Sequence, residues 1–378
     1  MEDAEKGPEI ASRRVDFVLP YGIGEPEFPP SEGTMPNPLG RRNRLGKAGW
    51  TLVLKRLFAD FSTDAMVDRG ATLTYYTVLS LAPMLVSAYA IATLLLGRDL
   101  GAVDQLLDGL VEVYVPEALR GEAMDLMETI VGTPSQSTVA LIVSLLISLL
   151  SASAYVRSFS RNANLVYGRS EGRNVVVTWV TMWLITLMLV VGGLAILIGT
   201  LLTDGIVHSV LGPVARPLGV ENVLTYLTEK FLPVWVYLRT PVIVLMAMIL
   251  LSLLYYFTPN VRPGRFRLLT VGSSLALFVG FWLWWGFGLY MSTFGVRSAY
   301  GAFGTVIAVL ALVWVMNIVL LEGVKVDAEV LRAKELQVGY DSERNIQARP
   351  RSSEGARWRL QLERWIARTA REVKNARN

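Results

Sequence analysis

With 378 residues, 52% of them hydrophobic and only 18% charged, the chain carries more apolar side chain than a water-soluble fold can bury, and it reads as an all-α polytopic membrane protein. The absence of cysteine excludes disulfides, thiolate metal sites and cysteine nucleophiles, and His208 is the single histidine. A formal net charge of +4 is small, so the placement of charge says more than its size.

Residues 1–40 are proline-rich and lack a periodic apolar pattern, which predicts a disordered cytoplasmic arm serving as a spacer. Their start shows no basic stretch followed by an apolar run and a small-residue cleavage site, so the first span is expected to direct its own insertion. Within 41–69, apolar residues recur at Val53, Leu54, Leu57, Phe58 and Phe61, with Lys47, Lys55 and Arg56 elsewhere on the wheel. That pattern predicts an amphipathic helix at the membrane interface.

A helix needs about twenty apolar residues to cross the hydrocarbon core. Six stretches within a transmembrane domain over 70–335 qualify: Ala71 to Leu96, Val139 to Val156, Val175 to Thr203, Thr240 to Val261, Leu268 to Val296 and Ser298 to Leu321. Little more than Arg297 parts the last two, and Gly295 and Gly301 allow a tight hairpin there. Arg41, Arg42, Arg44, Lys47, Lys55 and Arg56 precede the first span; Arg157, Arg161, Arg169 and Arg173 follow the second; Arg262, Arg265 and Arg267 follow the fourth. The loop over 98–138 is instead acidic, with two short amphipathic helices expected at Val103–Val115 and Ala118–Val131. Because positive loops stay in the cytoplasm, both termini are expected inside and the acidic loop outside. The tail, 336–378, repeats the amphipathic device, its stripe of Trp358, Leu362, Trp365, Ile366 and Val373 flanked by arginines. It suits the anionic inner leaflet, with a protein partner or RNA as the alternative.

Inside the spans, small residues at four-residue spacing form ladders at Ser144, Ser148 and Ala152 and at Gly272, Ala276 and Gly280, and Ala195 with Gly199 makes a shorter one. Helix packing is their expected use, a substrate-lined groove the alternative. Pro83 removes a backbone donor and is expected to kink the first span beside Ser80. Tyr75, Tyr76, Tyr255 and Tyr256 read as interfacial aromatics, and the echo between their surroundings hints at an inverted repeat. At the end of the sixth span Glu322 and Lys325, three residues apart, are placed to pair on one helix face, with Asn317 extending a polar face deeper. Tyr76, Ser80, Pro83, Asn317 and Glu322 are thus the candidate substrate-lining residues.

The run Ala71-Thr72-Leu73-Thr74-Tyr75-Tyr76-Thr77-Val78-Leu79-Ser80-Leu81-Ala82-Pro83 resembles the first-span signature of the YihY/BrkB family of bacterial inner-membrane proteins. Asn164 and Tyr167 after span two, Pro259, Asn260 and Arg265 after span four, and Tyr300-Gly301-Ala302-Phe303-Gly304 before span six agree with it, over residues 45 to 335. Where the family closes with Gly-Ala-Glu, this chain has Gly323-Val324-Lys325, its carboxylate displaced to Glu322. The resemblance implies a multi-pass protein of the bacterial cytoplasmic membrane, with links to serum resistance and to lipid or lipopolysaccharide export. Some members also carry the label ribonuclease BN. The residues argue against a nuclease, since phosphodiester hydrolysis usually draws on a metal cluster of His, Asp and Glu or a facing acid/base pair. No P-loop is present, and no cofactor or metal is called for. The expected function is non-enzymatic: transport or sheltering of a lipid or other amphipathic envelope molecule. The alternative is a scaffold for envelope assembly. Membrane lipids, and envelope proteins for the scaffold, are the expected partners; nucleic acid is not.

Overall fold

Strongly apolar, uncharged stretches become long helices because lipid offers the backbone no hydrogen-bond partners, so each segment must satisfy its own. The computed structural model describes residues 38–40, 43–95, 138–202, 221–262, 266–294 and 301–376, with a few isolated positions between 108 and 207. The arm expected over 1–40 and the two short helices of the acidic loop lie largely outside the described residues, as do His208 and Arg297. The helices are α1 (Lys47–Thr63), α2 (Met66–Leu95), α3 (Thr138–Val166), α4 (Val175–Leu201), α5 (Glu221–Tyr226), a π-helical turn (Leu227–Phe231), α6 (Leu232–Phe257), α7 (Val271–Phe294), α8 (Gly301–Gln337) and α9 (Glu354–Asn375).

Contacts between helix ends fix the topology. Arg69, at the start of α2, donates to Asn162 near the end of α3 at 2.9 Å. The Trp235 indole, at the start of α6, donates to the Gly199 carbonyl at the end of α4 at 3.1 Å. Ser160 of α3 donates to the carbonyl of Thr258, just past α6, at 2.7 Å. The start of α7 meets α8 near Asp327, whose carboxylate accepts from the Gly272 amide at 2.8 Å. So α2, α3, α4, α6, α7 and α8 alternate in direction. The Arg-rich loops, α1 and the segment leading into α9 all gather at one end, called here the basic end.

Four of these helices are long and apolar enough to cross a membrane among the described residues: Val175–Thr200, Leu227–Phe257, Val271–Thr293 and Val306–Gln337. Their outward faces are apolar and bare; on α7, Phe278, Phe281, Trp282, Trp284 and Trp285 are all at least half exposed. A patch of that size has lipid as its natural medium, and the chain is an integral membrane protein. The helices overrun the apolar stretches that mark them. α3 continues to Val166 and α8 to Gln337, and α6 begins at Leu232, well before Thr240. Hydropathy marks where a helix touches lipid, whereas its backbone hydrogen bonds continue into the polar turns.

Small residues decide where helices approach closely. A Cβ on Gly272 of α7 would overlap the Gly323 carbonyl oxygen of α8, and one on Gly323 would lie 3.0 Å from the Ala276 side chain. Gly280, two turns beyond Gly272, faces Met316. Gly70 of α2 sits against Ile318 in the same manner. The helix α3 carries Ser144 and Ser148, whose side chains lie outside the described residues.

At the basic end the loops are tied by side chains from far apart in sequence. The Asn164 carbonyl oxygen accepts from the Asn260 amide at 2.5 Å. The Asn260 side chain donates to Ser170 and Ser352 carbonyls at 3.1 and 2.9 Å and accepts from the Ser352 amide at 3.1 Å. Arg169 donates to the Ile346 carbonyl at 2.9 Å, and Arg332 to that of Arg344 at 2.8 Å. The buried Glu335 accepts from the Ser342 hydroxyl at 2.6 Å and the Gln347 amide at 2.8 Å. A coil segment made mostly of polar residues is thereby given the partners that buried backbone requires. Tyr255, read from sequence as an interfacial aromatic, belongs to the core here: it is buried and donates to the Leu320 carbonyl.

Candidate functional site

Between α2, α3, α4, α7 and α8 lies an open, groove-like cavity of about 400 Å³ lined by Thr77, Ser80, Ala152, Tyr155, Thr186, Gly193, Trp284, Met316 and Asn317, among others. Its polar groups form a knot at one edge. Asn317, 4% exposed, accepts from the Tyr155 hydroxyl at 2.9 Å and donates to the Thr74 hydroxyl at 3.2 Å. The remaining hydroxyls turn back on their own helices: Thr77 to Leu73 at 2.9 Å, Ser80 to Thr77 at 2.7 Å, Thr186 to Met182 at 2.7 Å. A hydroxyl donated to a carbonyl of the preceding turn costs the helix little and leaves the cavity wall effectively apolar. The space therefore suits a hydrocarbon body with one weakly polar contact point. It does not suit an ion, which would need several free donors or carboxylates.

Beneath the knot, Tyr155 stacks on Phe159 at 6.5 Å between centroids, and Phe159 on Tyr255 at 6.1 Å. This aromatic column fills the core between the cavity and the basic end.

The structure brings Ser80 and Asn317 to one cavity, together with Ala152 of the first small-residue ladder. Tyr76 and Glu322 are not among its lining residues; Tyr76 is half-buried against Tyr75, edge to face at 5.5 Å. α2 runs unbroken through position 83, where the Pro83 side chain lies outside the described residues. Tyr155, which completes the knot, was not singled out from sequence. The available signal was a tyrosine hydroxyl one turn beyond Ala152 in an otherwise apolar span, because such a hydroxyl needs a partner in lipid.

The expected Glu322–Lys325 pair does not form. Lys325, 5% exposed, instead places its ammonium 2.8 Å from Asp60, 2.7 Å from Asp64 and 3.4 Å from Glu329. Glu329, fully buried, pairs with Arg332 at 2.9 Å and lies 3.6 Å from Arg56. Glu322 is left half-buried, one carboxylate oxygen enclosed without a hydrogen-bond partner. The physical reason is geometric: Asp60 of α1 and Asp64 just past its end offer two carboxylates to one ammonium, and three-residue spacing on α8 offers only one. Among the described residues, no group of three or more His, Asp or Glu is arranged to hold a metal ion.

A family model described as virulence factor BrkB matches residues 57–346. A protein of Bacillus subtilis (strain 168), YfkH, named only by likeness as ribonuclease-like, is 27% identical over 287 residues, which cover 75% of this chain and 96% of that protein. No solved structure matches the chain with significance.

Proposed function

The chain belongs to the virulence factor BrkB family, and from that premise we propose that it shelters or transports a lipid-like envelope molecule within its bundle, as a six-span protein of the bacterial cytoplasmic membrane with both termini inside. The observation that carries the reading is the cavity of about 400 Å³, apolar in its walls and with a single polar knot at Tyr155, Asn317 and Thr74. Its volume falls within the roughly 300–1,000 Å³ of small-molecule sites. The alternating direction of six helices, with α1 and α9 at the same end as the Arg-rich loops, supports the six spans and the inward termini.

The test is native mass spectrometry with lipid identification on protein extracted gently from its own membrane. Gly193→Leu fills the cavity from a position where an added Cβ meets nothing within 4 Å, and Ser80→Leu fills it from the opposite wall. Selective retention of one lipid class by the wild type, lost in both variants, is the expected result. Retention of bulk lipid alone, unchanged in the variants, would overturn the reading.

One observation favours a second role. On α9, Trp358, Leu362, Trp365, Ile366 and Val373 remain exposed, a stripe suited to a leaflet surface or to recruiting an envelope protein as a scaffold does. The name of the Bacillus relative suggests a third, hydrolysis of RNA. It finds less support, because Asp60, Asp64 and Glu329 near the basic end are already engaged by Lys325 and Arg332.

A further inference from the structure

A second cavity, of about 420 Å³, lies at the basic end between the last turns of α6 and α8, the start of α7 and the residues leading into α1. Much of its wall is apolar, from Leu39, Leu45, Trp50, Tyr256, Val330 and Leu331. Three cations nevertheless reach it: Arg44, Arg267 and Lys334. Arg267 donates to the Leu39 carbonyl at 2.9 Å and stands close enough to Lys334 for the two charges to repel. Among the described residues, neither the Arg44 guanidinium nor the Lys334 ammonium makes a side-chain hydrogen bond or ion pair. Among the described residues the wall holds one carboxylate, Asp327, which accepts from the Thr270 hydroxyl at 2.5 Å and the Gly272 amide at 2.8 Å and also feels the charge of Arg267. Burial and the Asp327 carboxylate push the nearby Tyr167 hydroxyl above its ordinary value, so it stays protonated. Arg44 and Arg267 stand exposed at the mouth and Lys334 is half-buried, so the pocket presents a local excess of positive charge that attracts an anion.

We infer that this pocket binds the phosphate group of an anionic amphiphile, held between Arg44, Arg267 and Lys334 with its apolar body along Leu45, Trp50 and Val330. The inference rests on the lipid reading above and adds the headgroup class. The phosphate of a phospholipid supplies both halves of the match: charge for the three cations and hydrocarbon for the wall. Free phosphate supplies only the first. Trp50 and Leu45 belong to, or lead into, the amphipathic helix α1, which places the mouth of the pocket at the depth where headgroups lie.

The experiment is protection of Lys334 from an amine-reactive label in the delipidated full-length protein, read by peptide mass spectrometry, with Lys374 of α9 as the reference for unspecific binding. The probes are phosphatidylglycerol, phosphatidylcholine and inorganic phosphate. Phosphatidylglycerol is expected to slow labelling of Lys334 about ten-fold, as one or two charge-assisted hydrogen bonds would, and phosphatidylcholine to slow it far less. Arg267→Gln should remove most of that protection while the protein keeps its wild-type melting temperature. Equal protection by the two lipids, or protection unchanged in Arg267→Gln, would overturn the inference. Inorganic phosphate protecting as well as phosphatidylglycerol at the same concentration would support the phosphate site and overturn its lipid source. A protein that holds lipid in the bundle cavity but leaves Lys334 unprotected loses this inference alone, because the Gly193→Leu and Ser80→Leu test reads the other cavity.

Discussion

Replacing Lys325 by alanine removes the ammonium shared by Asp64, just past α1, Asp60 of α1 and Glu329 of α8, at 2.7, 2.8 and 3.4 Å. Removing one partner of a buried ion pair typically costs about 3–5 kcal/mol. Here the lower end applies. Asp60 and Asp64 keep a quarter to a third of their side chains in solvent, and Glu329 retains Arg332. A loss of about 3 kcal/mol corresponds to a fall in melting temperature of roughly 6–12 °C. The assay is thermal unfolding in mild detergent followed by tryptophan fluorescence, run as two double-mutant cycles. Lys325→Ala with Asp64→Ala should show a coupling of 1 kcal/mol or more, on the order expected for contacting charges. Lys325→Ala with Glu322→Ala should show a smaller coupling, because those two charges act on each other without an ion-pair contact. If the second cycle gave the larger coupling, the three-residue spacing along α8 would govern the pairing after all, and the α1–α8 clasp would be refuted.

Gly272→Ala should destabilise the protein by about 1–3 kcal/mol in the same assay, since the added methyl meets the Gly323 carbonyl, whereas Gly286→Ala, with open space around it, should be neutral or slightly stabilising. Tyr155→Phe should cost about 1 kcal/mol, because it leaves the buried Asn317 oxygen without its donor; a larger loss in Asn317→Leu, which breaks both of its bonds, would show in the same melts. Asn260→Ala removes the side chain that ties the loops after α3 and α6 to Ser352, so limited trypsinolysis should cut within 338–353 faster than in wild type while the helical circular dichroism of the bundle persists.

What could be read from sequence follows from the range of each signal. Apolar length is a local property and marks the six long helices among the described residues. The ends were not legible, since Arg239, Lys230 and the charged turns past Leu321 interrupt lipid contact without interrupting the helix. The Glu322–Lys325 pairing failed for the same reason that it was proposed: helical spacing sees only neighbours on one helix. Asp60 and Asp64 lie more than 260 residues away in sequence. Asn164 and Asn260 stood out as motif residues, yet their job of bonding each other across 96 residues depends on the finished topology. Ser80 and Asn317 were found because a polar side chain in an apolar span advertises itself; Tyr155 was missed because an aromatic ring there does not.

The crossing of α7 and α8 has a mechanical consequence. α8 is an unbroken rod of 37 residues, roughly 55 Å long, and at Gly323 its backbone rests directly on Gly272. Met316 lies about 10 Å to one side of that fulcrum and Lys334 about 16 Å to the other, and by helical periodicity both share the face that carries Gly323. A rigid rod rocking on such a pivot withdraws one arm as it advances the other. The hydrocarbon-lined chamber and the cation-lined one thus lie along opposite arms of one rod, on either side of a single backbone contact.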